Sequence, residues 1–275
     1  MISPSLISTV AIKEFKNSIR NRWVLAVSLI LALLALAISY FGFAPRGETG
    51  FGGFDVTIVS LASLVTYLVP IIALTLGFDT IVGESEGKTL DLILTMPISR
   101  LELFLGKFLG LSFSIITSTV VGFGVAGLLI AMKSGADHLG DYIFFILSAI
   151  LLGLSFLSLA LMISVMVGER SRAIGLVIFF WFFFVLIFDL LLIGLLVSTE
   201  GKISSSIITA LLYANPADLF RLLNLASIES VKTAYGLATV TKGKAFTQPF
   251  LYAGMLFWVL WPLAAGYTIF RKRSC

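Results

Sequence analysis

GESEGKTLDLILTMPISRLELFLGK, running from Gly83 to Lys107, lies between two apolar runs of membrane length, Val56 to Phe78 and Phe108 to Met132. It is dense in charge and in helix punctuation. Within Lys88 to Met96, Leu90, Ile93 and Leu94 can share one helical face, and Pro97 ends the stretch because it lacks a donor and restricts Met96. Ser99 and Glu102 then form an S-x-x-E capping box that starts the next helix. The pattern predicts a helix, a break and a helix, an arrangement stiff enough to transmit a push.

The flanking runs set the fold class. A chain that is 59% hydrophobic and 12% charged has too little polar surface to coat a soluble globule. Its apolar residues fall in blocks near 24–43, 56–78, 108–132, 142–167, 173–197 and 250–270. Each is close to the roughly 20 residues that a helix needs to cross a hydrocarbon core. A membrane barrel would instead show alternating strands of about ten residues. We therefore expect an all-α integral membrane protein of six transmembrane helices, forming a single domain over 1–275.

Basic residues set the expected orientation. Most of the 19 Lys and Arg lie before the first span, between spans two and three, between spans four and five, or after the last. Both termini should then be cytoplasmic. That bias accounts for the net charge of +4, and no basic and aromatic strip suggests a nucleic-acid groove. The first apolar block is too long for a signal-peptide h-region and is expected to remain as a span. Cys275, the single cysteine, excludes an intrachain disulfide.

Before the first span, Val10, Phe15, Ile19 and Trp23 recur at near-helical spacing, with Lys13, Lys16, Arg20 and Arg22 facing away. This fits an amphipathic helix in the inner headgroup layer; the alternative is a charged topogenic flank. Between spans five and six, Ile203 to Ala214 is apolar but too short to cross, and reads as re-entrant or interfacial. Asn215, Pro216 and Asp218 follow as N-cap, N1 and N3 of a further helix, giving a helical periplasmic ledge. Asn215, Asp218 and Arg221 on it are candidates for docking a periplasmic partner.

Little chemistry is encoded. GESEGKT from Gly83 to Thr89 imitates a P-loop but has three residues between its glycines where four are needed, follows a membrane span, and carries Glu84 and Glu86, which repel phosphate. Any ATP and Mg²⁺ must therefore sit on a partner subunit. The lone histidine, His138, reads as a loop residue, and no spacing assembles a metal shell. Met162 and Met166, one turn apart, could be soft ligands or packing. Asp189 is the acidic residue well inside a span. Burying it costs about 2.5–3.5 kcal/mol, which the surrounding Leu, Ile, Val and Phe offset at about 0.3–0.6 kcal/mol each. It could line a polar pathway or hydrogen-bond to a neighbouring helix. Gly106 and Gly110 make a GxxxG face for close packing, within one chain or at a homodimer seam.

These residues resemble the ABC-2 family of ABC transporter permeases. The likeness is carried by KEF and RxRW in Lys13–Trp23, by six spans, and by G-E-x-E-x-x-T-L, P-x-S-R-x-E and GK within Gly83 to Lys107. The FDLLLIGLL run around Asp189 and NPADLFRLLNL from Asn215 resemble, within that family, the membrane subunits of transporters serving maturation of the copper sites of nitrous oxide reductase. The resemblance implies a non-catalytic permease of the bacterial inner membrane. Its implied partners are a second copy, two cytoplasmic ATPase subunits, a periplasmic copper-handling protein and membrane lipid. Gly83, Glu84, Glu86, Thr89, Leu90, Leu94, Pro97 and Arg100 would couple to the ATPase. A general exporter of lipid or drug-like compounds, or an intramembrane enzyme using Asp189, are the competing expectations.

Overall fold

The structure, a computed structural model, describes residues 3–41, 54–134, 139–200, 202–227 and 247–272. Arg46, His138, Arg273, Cys275 and the later part of the ledge segment lie outside the described residues. Among those described, the chain is helical without strands. Helix α1 spans Pro4–Arg20, α2 Trp23–Phe41, α3 Phe54–Gly77, α4 Asp79–Glu86, α5 Thr89–Leu94 and α6 Arg100–Ser134. Then come α7 Leu139–Met166, α8 Arg170–Phe182, a π-helical turn Phe183–Ile187, α9 Phe188–Ser198, α10 Ser205–Tyr213, α11 Pro216–Ser227 and α12 Gln248–Lys272.

Six of these stretches are long and apolar enough to cross a membrane. Two run well past their apolar blocks: the second continues to Glu86 and the third starts at Arg100. Hydropathy marks only what hydrocarbon can hold, whereas the backbone ladder continues into water wherever its ends are capped.

The most buried span, α7, is the axis of the bundle and packs against α3, α6 and α12. Its buried Ser148, Ser155 and Ser158 are compatible with this position because each hydroxyl donates to a carbonyl of its own helix. Ser164 does more, accepting from both Ile81 N and Val82 N at 3.0 Å. These amides lose their helical acceptors where α3 gives way to α4, and Ser164 supplies the replacement.

Close approaches fix the remaining helices. A Cβ on Gly106 would sit 2.6 Å from Val10 Cβ, and one on Gly110 would sit 2.5 Å from Ala11 O. The GxxxG face therefore receives α1 of the same chain. Gly110→Ala is expected to push α1 off α6 and cost about 1–3 kcal/mol. Gly124→Ala, which opens onto free space, should gain up to about 1 kcal/mol from helix propensity. Thermal unfolding in detergent checks the pair; equal behaviour would contradict the packing.

Candidate functional site

At one end of the bundle, α4, α5 and the start of α6 form an elbow, braced by α1, α8 and the last turn of α12. Gly87 closes α4, but it is Lys88 that takes the left-handed conformation, at φ 55°. Thr89 then donates its hydroxyl to Glu84 O at 3.1 Å. The chain thereby reverses into α5. Leu90 is 1% exposed and packs into the core with Ile93 and Leu94, so the inward face is the one their spacing predicts. The outward surface is carried instead by Leu92 and Met96, 65% and 61% exposed, beside exposed Asp91 and Pro97. Leu90, expected among the coupling residues, thus sits in the core of this chain, where it anchors the elbow.

The capping box forms as the sequence predicts. Ser99 N and Oγ both donate to Glu102 Oε2 at 2.7 Å, and Glu102 N donates to Ser99 Oγ at 3.2 Å. Glu102 Oε1 also accepts from Ser3 N at 2.6 Å, which ties the start of α1 to the start of α6. Arg100, expected to face an ATPase, turns to the end of α12. Its Nη1 donates to Phe270 O at 3.0 Å and Arg271 O at 3.2 Å, where a cation favourably meets helix-terminal carbonyls.

The elbow's strongest joint is one that sequence reasoning missed. Lys107 is 1% exposed, and its ammonium donates to Glu84 Oε1 at 2.7 Å, Thr80 O at 3.1 Å and Glu14 Oε1 at 3.3 Å. Three donors meet three acceptors from α1 and α4. A charge so deeply buried is stable only when paired in this way. The available signal was its position between Gly106 and Gly110, on the face that receives α1. A second joint links α8. Arg170 Nη2 donates to Asp79 Oδ2 at 3.0 Å, and its Nε lies 2.6 Å from Oδ1 as an ion pair. Glu86 lies 3.7 Å from the same Nε. Gly83 leaves room for this pair, since a Cβ there would fall 2.4 Å from Asp79 Oδ1. A polar cleft of about 550 Å³ opens among these residues.

The opposite end carries a second network. Asn215 caps α11 by accepting from Ala217 N at 2.9 Å, while its amide donates to Phe184 O at 2.8 Å and to Asp218 Oδ2 at 3.0 Å. Phe184 belongs to the π-helical turn, where the regular ladder is interrupted. Arg221 pairs with Asp189 and, at 3.3 Å, with Asp218. Burial, and then the negative charge of Asp189, push the Asp218 carboxyl up to about 7. Asn215 and Asp218 are 0% and 5% exposed. Two of the three residues expected to present a docking surface are therefore turned inward, because α11 packs against α3, α7 and α12, while Arg221 is half-buried in its ion pairs. Asp189 is bonded to a neighbouring helix through the guanidinium of Arg221. Met162 packs near Gly266 while Met166 is exposed, so the two do not share a buried site.

Six apolar spans, a braced charged elbow and a tucked-in ledge define a multi-pass membrane protein. The chain belongs to the ABC-2 family of transporter proteins, whose family model matches residues 8–275. It is 42% identical to the "Probable ABC transporter permease protein NosY" of Stutzerimonas stutzeri, over 96% of this chain and 97% of that protein. It is also 42% identical to the protein of that name from Pseudomonas aeruginosa, over 96% and 98%. It is thus an ABC transporter permease subunit, a class that works with an ATPase partner.

Proposed function

We propose that this chain, as a homodimer in the bacterial inner membrane with both termini cytoplasmic, converts ATP hydrolysis by two separate ATPase subunits into movement of its spans. ATP and Mg²⁺ are held by those subunits. The process served is maturation of the copper sites of nitrous oxide reductase, with a periplasmic copper-handling protein engaged at the ledge end. This reading is supported by the likeness to the NosY permeases over nearly the whole chain. The observation that carries the coupling mechanism is α5 itself. It offers Leu92 and Met96 outward, while its inner face and both ends are held by the core, Lys107 and the capping box. A load applied to those two side chains passes along α4 into the second span and along α6 into the third.

The test separates surface from anchor. Leu92→Glu with Met96→Glu should leave the unfolding temperature of the purified chain nearly unchanged and reduce ATPase-dependent maturation at least about tenfold, as loss of an interface hot spot does. Leu90→Ala should instead cost about 2–4 kcal/mol of stability. Full maturation by the double variant at normal expression would overturn the proposal.

A further inference from the structure

Span five is built in two unlike halves. Its first half, α8, is fastened to the bundle: Ala173 and Val177 are buried, Arg170 pairs with Asp79 of α4, and Trp181 Nε1 donates to Tyr67 O of α3 at 3.0 Å. The π-helical turn that follows is fastened too. Val185 is 0% exposed, and the Phe184 ring lies edge-on to Phe156 of α7 and Trp258 of α12, with centroids 6.1 and 5.3 Å away. From Phe188 onward the packing stops. No residue of α9 is buried, none packs against the hydrophobic core of the described residues, and a Cβ on Gly194 would meet none of their atoms within 4 Å.

Hydrophobic burial gives such a segment no preferred angle, because lipid tails are as apolar as its own leucines. A polar contact does. Among the described residues, the pairing of Asp189 with Arg221 is the one side-chain hydrogen bond or ion pair from α9 to another element. Arg221 stands on a helix that is itself firmly seated, since Ala217, Leu219 and Phe220 of α11 are 0% exposed. The same helix holds the π-helical turn through Asn215, which donates to Phe184 O. Within that turn Phe188 N donates to Phe183 O, five residues back, an irregular register at which helices bend. With 11 residues, α9 is about 16 Å long, so a change of about 20° at the turn moves its far end by about 5 Å.

We propose that α9 is a hinged arm that pivots on the π-helical turn, and that the Asp189–Arg221 pair latches it to the ledge helix at the angle observed. The second half of span five can then change tilt while the first half stays with the bundle. This device requires no particular cargo, ATPase or external partner. Spin labels on the full-length chain in nanodiscs, in a Cys275→Ser background, test it by pulsed dipolar spectroscopy. Val197→Cys with Met132→Cys reports the arm, and Ile178→Cys with Met132→Cys reports the fixed half; all three positions are exposed, and Met132 follows the fully buried Ile130 of α6. Dilution with unlabelled chain removes distances between copies. The unaltered arm should give a narrow distribution. Asp189→Asn, which leaves Arg221 its pairing with Asp218, should widen that distribution about twofold or shift its mean by about 5 Å, and leave the Ile178 pair unchanged. An arm distribution that Asp189→Asn leaves unaltered overturns the proposal, and a short, narrow distance from undiluted Val197→Cys alone would then assign the restraint to a second copy. Equal widening of both pairs overturns it as well, because span five would then loosen as one body with no pivot.

Discussion

Lys107→Met should lower the stability of the chain by about 3 kcal/mol, within the range seen when one member of a buried ion pair is removed. The loss comes less from the missing attraction than from what is left behind. Glu14 and Glu84 would face each other with side chains only 12% and 19% exposed, and Thr80 O would lose a donor. Because those carboxylates belong to α1 and α4, the damage should localise at the seam between α1 and α6. Ala11→Cys, at a position 6% exposed, supplies a local readout once Cys275 is replaced by Ser. It should react slowly with a maleimide when Lys107 is present and quickly when it is Met. Adding Glu14→Gln and Glu84→Gln to Lys107→Met should restore most of the lost stability, since an uncharged set has no buried charge left to pair. Unchanged unfolding in Lys107→Met would mean that the cluster holds nothing together.

How far the sequence discloses this site depends on the range of the interactions that build it. The Ser99–Glu102 box and the Asn215–Pro216–Asp218 cap are local, so both are legible as spacings and both form. The inward face of α5 is legible too, because Leu90, Ile93 and Leu94 follow helical period. Which face meets a partner is not, since that requires knowing where the core lies. Arg100 illustrates the limit. Read along the chain it is a charge at an elbow, yet its acceptors come from the last turn of α12. Lys107 reads as a topogenic charge, and only the approach of α1 over Gly106 and Gly110 converts it into a joint. Asp189 is conspicuous by its position inside a span, whereas Asn215 and Asp218 read as a helix cap, and with Arg221 as a docking surface. Their convergence depends on α11 folding back against the π-helical turn, a long-range event that no period encodes.

That convergence makes Arg221 the second residue whose loss should be severe. Arg221→Met leaves Asp189, and Asp218 wherever it is ionised, without their cation, at a cost of about 1–3 kcal/mol for a charged hydrogen bond in a half-buried site, and should loosen α11 from span five. The same network predicts a pH dependence with a definite sign. The Asp218 carboxyl, raised from an ordinary 3.8 to about 7, stays protonated in the folded chain over a range where the unfolded chain has already lost that proton. Its contribution is therefore full below about pH 4 and declines as pH rises through about 7. The native chain should unfold several degrees higher at about pH 6 than at about pH 8, and Asp218→Asn should flatten that slope while keeping a polar partner for Asn215. Removing Arg221 takes away the charge that opposes the shift, so the decline should steepen near neutral pH. A profile that Asp218→Asn leaves unaltered would place the sensitivity in another group and detach it from the ledge.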